Sequence, residues 1–166
     1  LGASRTHPRK GVMTATDCLT ASMLEVGMRY EARLSFTREQ VRQYCALSGD
    51  GNSIHRDIEA ARLRFPGIRD IAVPGGLVQI AVTGIFGTRF PGDGCLGLTF
   101  VPERFRKPVC PEDSLRVTIE VIRLKGVIVE VDVAIDDEAD ERISTARAKL
   151  IAPDDAYRRW WTERGG

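Results

Sequence analysis

The chain has no apolar run of the roughly 18 residues that a membrane-spanning helix needs. Its longest candidate, Gly76 to Phe86, is broken by Gln79, Thr83 and Gly84. It has no excess of charge: the net value is +1, which removes the electrostatic case for a nucleic-acid partner. Its four cysteines, Cys18, Cys45, Cys95 and Cys110, fall in no CxxC or other metal-ligand spacing. Cys45 and Cys95 sit among apolar neighbours and are expected as buried thiols, which suits a reducing cytosol better than a disulfide framework. No phosphate loop or dinucleotide fingerprint is present, and neither Ser48 nor Ser53 lies in a nucleophile elbow. A zinc site would have to use Asp50, His55 and Asp57 without a second histidine in the domain, so no metal is expected.

What remains is 166 residues, 43% of them hydrophobic, enough for one well-buried core. Residues 1–22 read as a disordered tail that holds His7. Arg5, Arg9 and Lys10 give that tail the charge of a transit peptide, but it lacks an amphipathic apolar face. Residues 23–152 form one domain and 153–166 a C-terminal extension. In the extension, Trp160 and Trp161 either mark a contact surface or pack back onto the sheet.

Alternation from Arg29 to Phe36 predicts a strand, with Tyr30, Ala32, Leu34 and Phe36 on one face. Thr37 and Gln40 have the spacing of a capping box, so a helix opens there. It carries Val41, Tyr44, Cys45 and Leu47 and stops at Ser48-Gly49. A short helix is expected from Ile58 to Phe65. Pro74-Gly75-Gly76 opens a helix that is apolar nearly all round, about residues 76–88, and should therefore be buried at the centre of the domain. Period-two patterning follows in Leu96–Phe105, Ser114–Arg123, Val127–Asp136 and Arg142–Ile151, which predicts an antiparallel meander. The class is α+β, with a curved antiparallel sheet around one long helix.

Two places carry chemistry. The loop Leu47-Ser-Gly-Asp50-Gly-Asn52-Ser53-Ile-His55-Arg-Asp57 brings a carboxylate and an imidazole within five residues. Asp50 and His55 could share general acid–base work, or Asp50 could simply cap the turn and bond to His55. Asn52 suits an Asx turn, and with Ser53 it holds the loop's shape. The second place is Gly75-Gly76. The free N–H groups of a helix that starts there could hold a developing oxyanion, or the glycines could serve packing alone. Arg104, Arg106 and Lys107 form a basic cluster that could meet a carrier's phosphates or could be a solvated strand end.

The segment Ala46-Leu-Ser-Gly-Asp50-Gly-Asn52-Ser-Ile-His55-Arg-Asp57 resembles the S-G-D-x-N-P-x-H-x-D motif of the MaoC-like, (R)-specific enoyl-CoA hydratases and dehydratases. The resemblance continues through Phe65-Pro-Gly67, Ala72 to Gly76, Phe90-Pro-Gly92 and Phe105-Arg-Lys-Pro108-Val109. It implies a hot-dog fold and a homodimer able to assemble further. It also implies reversible syn hydration of a trans-2-enoyl thioester of CoA or an acyl carrier to an (R)-3-hydroxyacyl thioester. In that reaction Asp50 takes the proton of the attacking water and His55 protonates C2. The backbone of Gly75 and Gly76 holds the thioester oxygen. No cofactor beyond the substrate's CoA and no membrane partner is implied, and a cytoplasmic enzyme is expected. Ser53 replaces the motif's proline, and Pro74 and Gly76 replace the His and Met of a His-Gly-Met run. With Ile80 and Phe65, Pro74 is placed in the substrate pocket. A thioesterase and a non-catalytic thioester-binding subunit are the competing functions.

Overall fold

A computed structural model describes residues 16–166. The expected tail up to residue 15, with His7, lies outside the described residues. Strand β1 (Arg29–Leu34) leads into helix α1 (Arg38–Ser48). Thr37 and Gln40 close the capping box there in both directions, and Gly49 ends the helix at φ 73°. At Gly49 the left-handed conformation needs a residue without a Cβ. Helix α2 (Ile58–Arg64) is capped by the Asp57 carboxylate, which accepts from Glu59 N and Ala60 N. Helix α3 runs from Gly75 to Thr88. Strands β2 (Leu96–Pro102), β3 (Leu115–Lys125), β4 (Ile128–Asp136) and β5 (Arg142–Ile151) follow, then helix α4 (Asp155–Glu163).

The five strands make one antiparallel sheet in the order β1-β3-β4-β5-β2. The alternation expected in β3 and β4 is realised residue by residue: Val117, Ile119, Val121, Val129 and Val131 are fully buried. They pack with Leu77, Val78, Val82, Ile85 and Phe86 of α3 in a single core. A curved antiparallel sheet around one long helix is the hot-dog arrangement, α+β in class.

The structure corrects the sequence in five places. The meander holds only for β3-β4-β5. The long, proline-punctuated link from β2 to β3 is no hairpin, and β2 crosses to the far edge beside β5. The strand expected to reach Phe105 stops at Pro102. Helix α3 is not covered all round in the single chain: Ile80 is 51% exposed, with Thr83 and Gly84 beside it. The sheet covers only one side of the helix. The fully buried thiols are Cys18 and Cys110, whereas Cys45 and Cys95 are half-buried. Burial still pushes the Cys95 thiol up to about 11. Finally, residues 17–20 belong to the folded body. Asp17 N donates to Thr88 O, Cys18 pairs with Gly92, and Thr20 is buried. Helix α4 clasps this corner through Tyr157 Oη to Asp93 and Arg158 to Cys18 O, and it leaves Trp160 47% exposed. Among the described residues no helix is long and apolar enough to cross a membrane.

Candidate active site

The loop after α1 is held by a chain of local bonds. Ser48 Oγ donates to Tyr44 O (2.8 Å) and accepts from Asp50 N (3.3 Å). Asp50 Oδ1 accepts from Asn52 N (3.0 Å), and the Asn52 side chain accepts from Ile54 N (3.4 Å). These Asx turns start the single helical turn Ser53–His55. Ser53 supports the loop through its carbonyl, which accepts from Arg56 N and Asp57 N.

That turn brings His55 Nε2 to 3.5 Å from Asp50 Oδ2. The other ring nitrogen, Nδ1, donates to Ala72 O at 2.7 Å. A carbonyl only accepts, so Nδ1 carries a proton and Nε2 is the atom left for chemistry. The imidazole is 10% exposed and the carboxylate 32%. The two uses of Asp50 are thus divided between its oxygens: Oδ1 caps the turn and Oδ2 faces the imidazole.

Both side chains line a cavity of about 600 Å³, with Cys45, Arg42, Arg56 and Ile71 among its walls. Burial holds the Cys45 thiol above its ordinary pKa, and the Asp50 carboxylate adds to the effect. Cys45 is therefore not an activated nucleophile.

Ala72 stands three residues before Gly75, so the bond that orients His55 also anchors it to the segment leading into α3. Pro74, which is buried, is the N-cap residue, and its carbonyl accepts from Leu77 N (3.0 Å) and Val78 N (3.4 Å). Gly75 N and Gly76 N have no hydrogen-bond partner among the described residues, and they point out of the positive end of a 14-residue helix. Aromatic rings press on both glycines. A Cβ on Gly75 would lie 2.8 Å from the Phe105 ring. One on Gly76 would run into the Tyr44 hydroxyl, whose ring carbon would be 3.0 Å away. Gly76→Ala should therefore destabilise the protein by about 1–3 kcal/mol despite alanine's better helix propensity. Tyr44→Ala in the same chain should recover part of that loss, as urea unfolding of the double-mutant cycle would show.

Other sequence candidates lie elsewhere. Phe65 packs with Ala61, Ile68, Ala72 and Cys110 behind the loop and faces a separate groove. Ile80 lies on the open strip of α3. Lys107 is tied to Asp137 and Glu141, and both raise its pKa. None of Arg104, Arg106 and Lys107 lines the cavity that holds Asp50 and His55, and neither do Pro74, Gly75 and Gly76, which stand beyond its wall at Ile71. The sequence missed Ala72, which acts through its carbonyl and shows no side-chain signal. It also missed Tyr44, whose place in the apolar pattern of α1 hid the position of its hydroxyl.

Comparison with known proteins gives consistent matches. The family model described as "MaoC like domain" matches residues 20–143. A Streptomyces avermitilis protein named UPF0336 protein is 31% identical over 126 residues, 69% of this chain and 82% of that one. A mitochondrial 3-hydroxyacyl-[acyl-carrier-protein] dehydratase of Solanum lycopersicum is 26% identical over 65% of this chain and 62% of its own length. Among solved structures, the R-hydratase PhaJ1 of Pseudomonas aeruginosa superposes with a TM-score of 0.77 at 25% identity, over 86% of this chain and 90% of that one.

Proposed function

The chain belongs to the MaoC-like dehydratase family, and from that premise we propose that it adds water reversibly to trans-2-enoyl thioesters, giving (R)-3-hydroxyacyl thioesters. The observation that carries this reading is the Asp50 Oδ2 to His55 Nε2 approach of 3.5 Å inside the cavity, with the imidazole fixed from behind by Ala72 O. The similarity to an R-hydratase and to a 3-hydroxyacyl dehydratase supports hydration or dehydration as the reaction class.

In this reading the Asp50 carboxylate takes a proton from water as the water oxygen bonds to C3. The C2=C3 electrons shift toward the thioester carbonyl, whose oxygen gains charge and is met by Gly75 N–H and Gly76 N–H. The imidazolium then gives its Nε2 proton to C2, and the carbonyl re-forms. Asp50 returns the water's proton to Nε2 across the short gap, so the pair ends as it began. The same groups run backwards for dehydration. The scheme uses no metal and no cofactor beyond the carrier attached to the substrate.

The open strip of α3 at Ile80, Thr83 and Gly84 supports a homodimer, as do the exposed apolar residues Leu96, Leu98 and Val101 of the edge strand β2. Phe86 and Phe100 pack edge to face at 5.9 Å, so α3 and β2 lie side by side and a second copy could cover both.

The test is a panel of straight and branched enoyl thioesters, offered as CoA and acyl-carrier esters. Loss of enoyl absorbance without release of free thiol, and an (R)-3-hydroxy product, is the expected result. Thiol release alone would make the protein a thioesterase. Binding without turnover would make it a non-catalytic thioester-binding subunit.

A further inference from the structure

The Ala72 carbonyl that orients His55 is not free to turn. It belongs to the Ala72–Val73 peptide, and the other end of that peptide is pinned: Val73 N donates to Val109 O at 2.7 Å. A peptide is planar and trans, so an N–H held toward Val109 aims the carbonyl the opposite way, at the imidazole. The N–H before it is also engaged, since Ala72 N donates to Ile54 O at 2.9 Å. The pose of the imidazole therefore depends on how the short segment from Arg69 to Val73 is held.

Two adjacent side chains of opposite charge hold that segment, and they reach to different parts of the fold. Arg69 pairs with Asp113 and donates to Pro111 O at 3.4 Å. The second oxygen of Asp113 accepts from Cys110 N at 2.7 Å, so Arg69 ties the segment to the turn that carries the Val109 carbonyl. Asp70 pairs with Arg38, in the first turn of α1, and the same carboxylate oxygen accepts from Ile71 N at 2.6 Å. Asp70 thus ties the segment to the helix that leads into Asp50. Arg38 and Ile71 both line the cavity, so this tie joins two of its walls. The side chains of Arg38 and Arg69 are 60% and 59% exposed, and pairs so open to water add little to the stability of a fold.

We infer that Arg69 and Asp70 are positioning residues for His55. Through Asp113 and Arg38 they hold the segment in the one arrangement that keeps the Ala72 carbonyl on Nδ1 and leaves Nε2 free to face Asp50. The inference rests on the hydratase reading for what the imidazole does, but not for where its proton sits. A weak tie can bias two arrangements of a segment only several-fold, which sets the scale of each single effect.

The test reads the imidazole directly, by ¹⁵N NMR of histidine-labelled protein at a pH where the ring is neutral. The substitution His7→Gln removes the only other histidine from the spectrum. In the protein with its ties intact, His55 should be the Nδ1–H tautomer. In Arg69→Gln, Asp70→Asn and Arg38→Gln the Nε2–H tautomer should appear beside it. In each, kcat for enoyl-thioester hydration should fall several-fold, with KM within about twofold of wild type. Arg69→Lys keeps the charge and should restore most of the loss. The pair Arg69→Gln and Asp70→Asn together should cost on the order of tenfold. Unfolding midpoints should stay close to wild type. Arg38→Gln removes one tie without touching the segment, so it reads the effect even if a change within the segment impairs folding. The inference is overturned if the ring is not Nδ1–H with the ties intact, or if that tautomer is undiminished in Arg38→Gln and in the double variant. A tautomer that shifts in a protein that hydrates nothing keeps the positioning and loses the hydratase.

Discussion

Asp50→Asn and His55→Gln should each lower kcat for enoyl-thioester hydration by about 10²-fold or more, because each removes one of the two groups to which the proposed mechanism gives the proton transfers. The substitutions separate chemistry from loop support. In Asp50→Asn the new amide keeps an oxygen that can accept from Asn52 N, as Asp50 Oδ1 now does at 3.0 Å, so the Asx turn persists without the base. In His55→Gln the carboxamide keeps a donor that can reach toward Ala72 O. His55→Ala would be a poorer probe, since it strips the Ala72 carbonyl of its partner and adds about 1–3 kcal/mol of structural cost. Unfolding curves close to wild type, alongside the kinetic loss, would place the effect in the chemical step. Full activity in either conservative variant would remove the acid–base mechanism.

Phe86→Ala is the second large effect, and it is one of stability. Phe86 is 4% exposed on the core face of α3, and its ring meets Phe100 edge-on at an interplanar angle of 81°. Truncation removes the transfer free energy of a buried ring and leaves a cavity between the central helix and β2, for about 3–5 kcal/mol in all. Loss of the aromatic pair with Phe100 puts the expected effect toward the upper end of that range. A domain of this size is stable by only about 5–15 kcal/mol, so the variant should unfold at a much lower urea concentration, or fail to accumulate folded. A shift of under about 1 kcal/mol would mean that the helix does not depend on this contact as the packing requires.

Local rules made much of this legible from sequence. Thr37 and Gln40 announced α1 because a capping box satisfies two orphan donors with residues three apart. The β3 and β4 residues alternated because one face of each strand is dry. Asp50 and His55 were visible as a pair because they stand five residues apart and the turns between them are local. What stayed hidden depends on contacts between distant segments. Nothing local tells β2 to pair with β5, across a separation of some fifty residues. The Ala72 carbonyl that fixes the His55 tautomer has no side chain to betray it. The reason for Gly76 lies in Tyr44, on another helix.

The most direct measurement follows a trans-2-enoyl thioester with the wild-type protein in D₂O, by proton NMR and chiral analysis of the product. The proposed family reaction predicts an (R)-3-hydroxyacyl thioester, and the placement of Asp50 and His55 on one cavity predicts one deuterium at C2, added to the same face as the hydroxyl, with the thioester intact. An (S) product, anti addition, or cleavage of the thioester without hydration would contradict it.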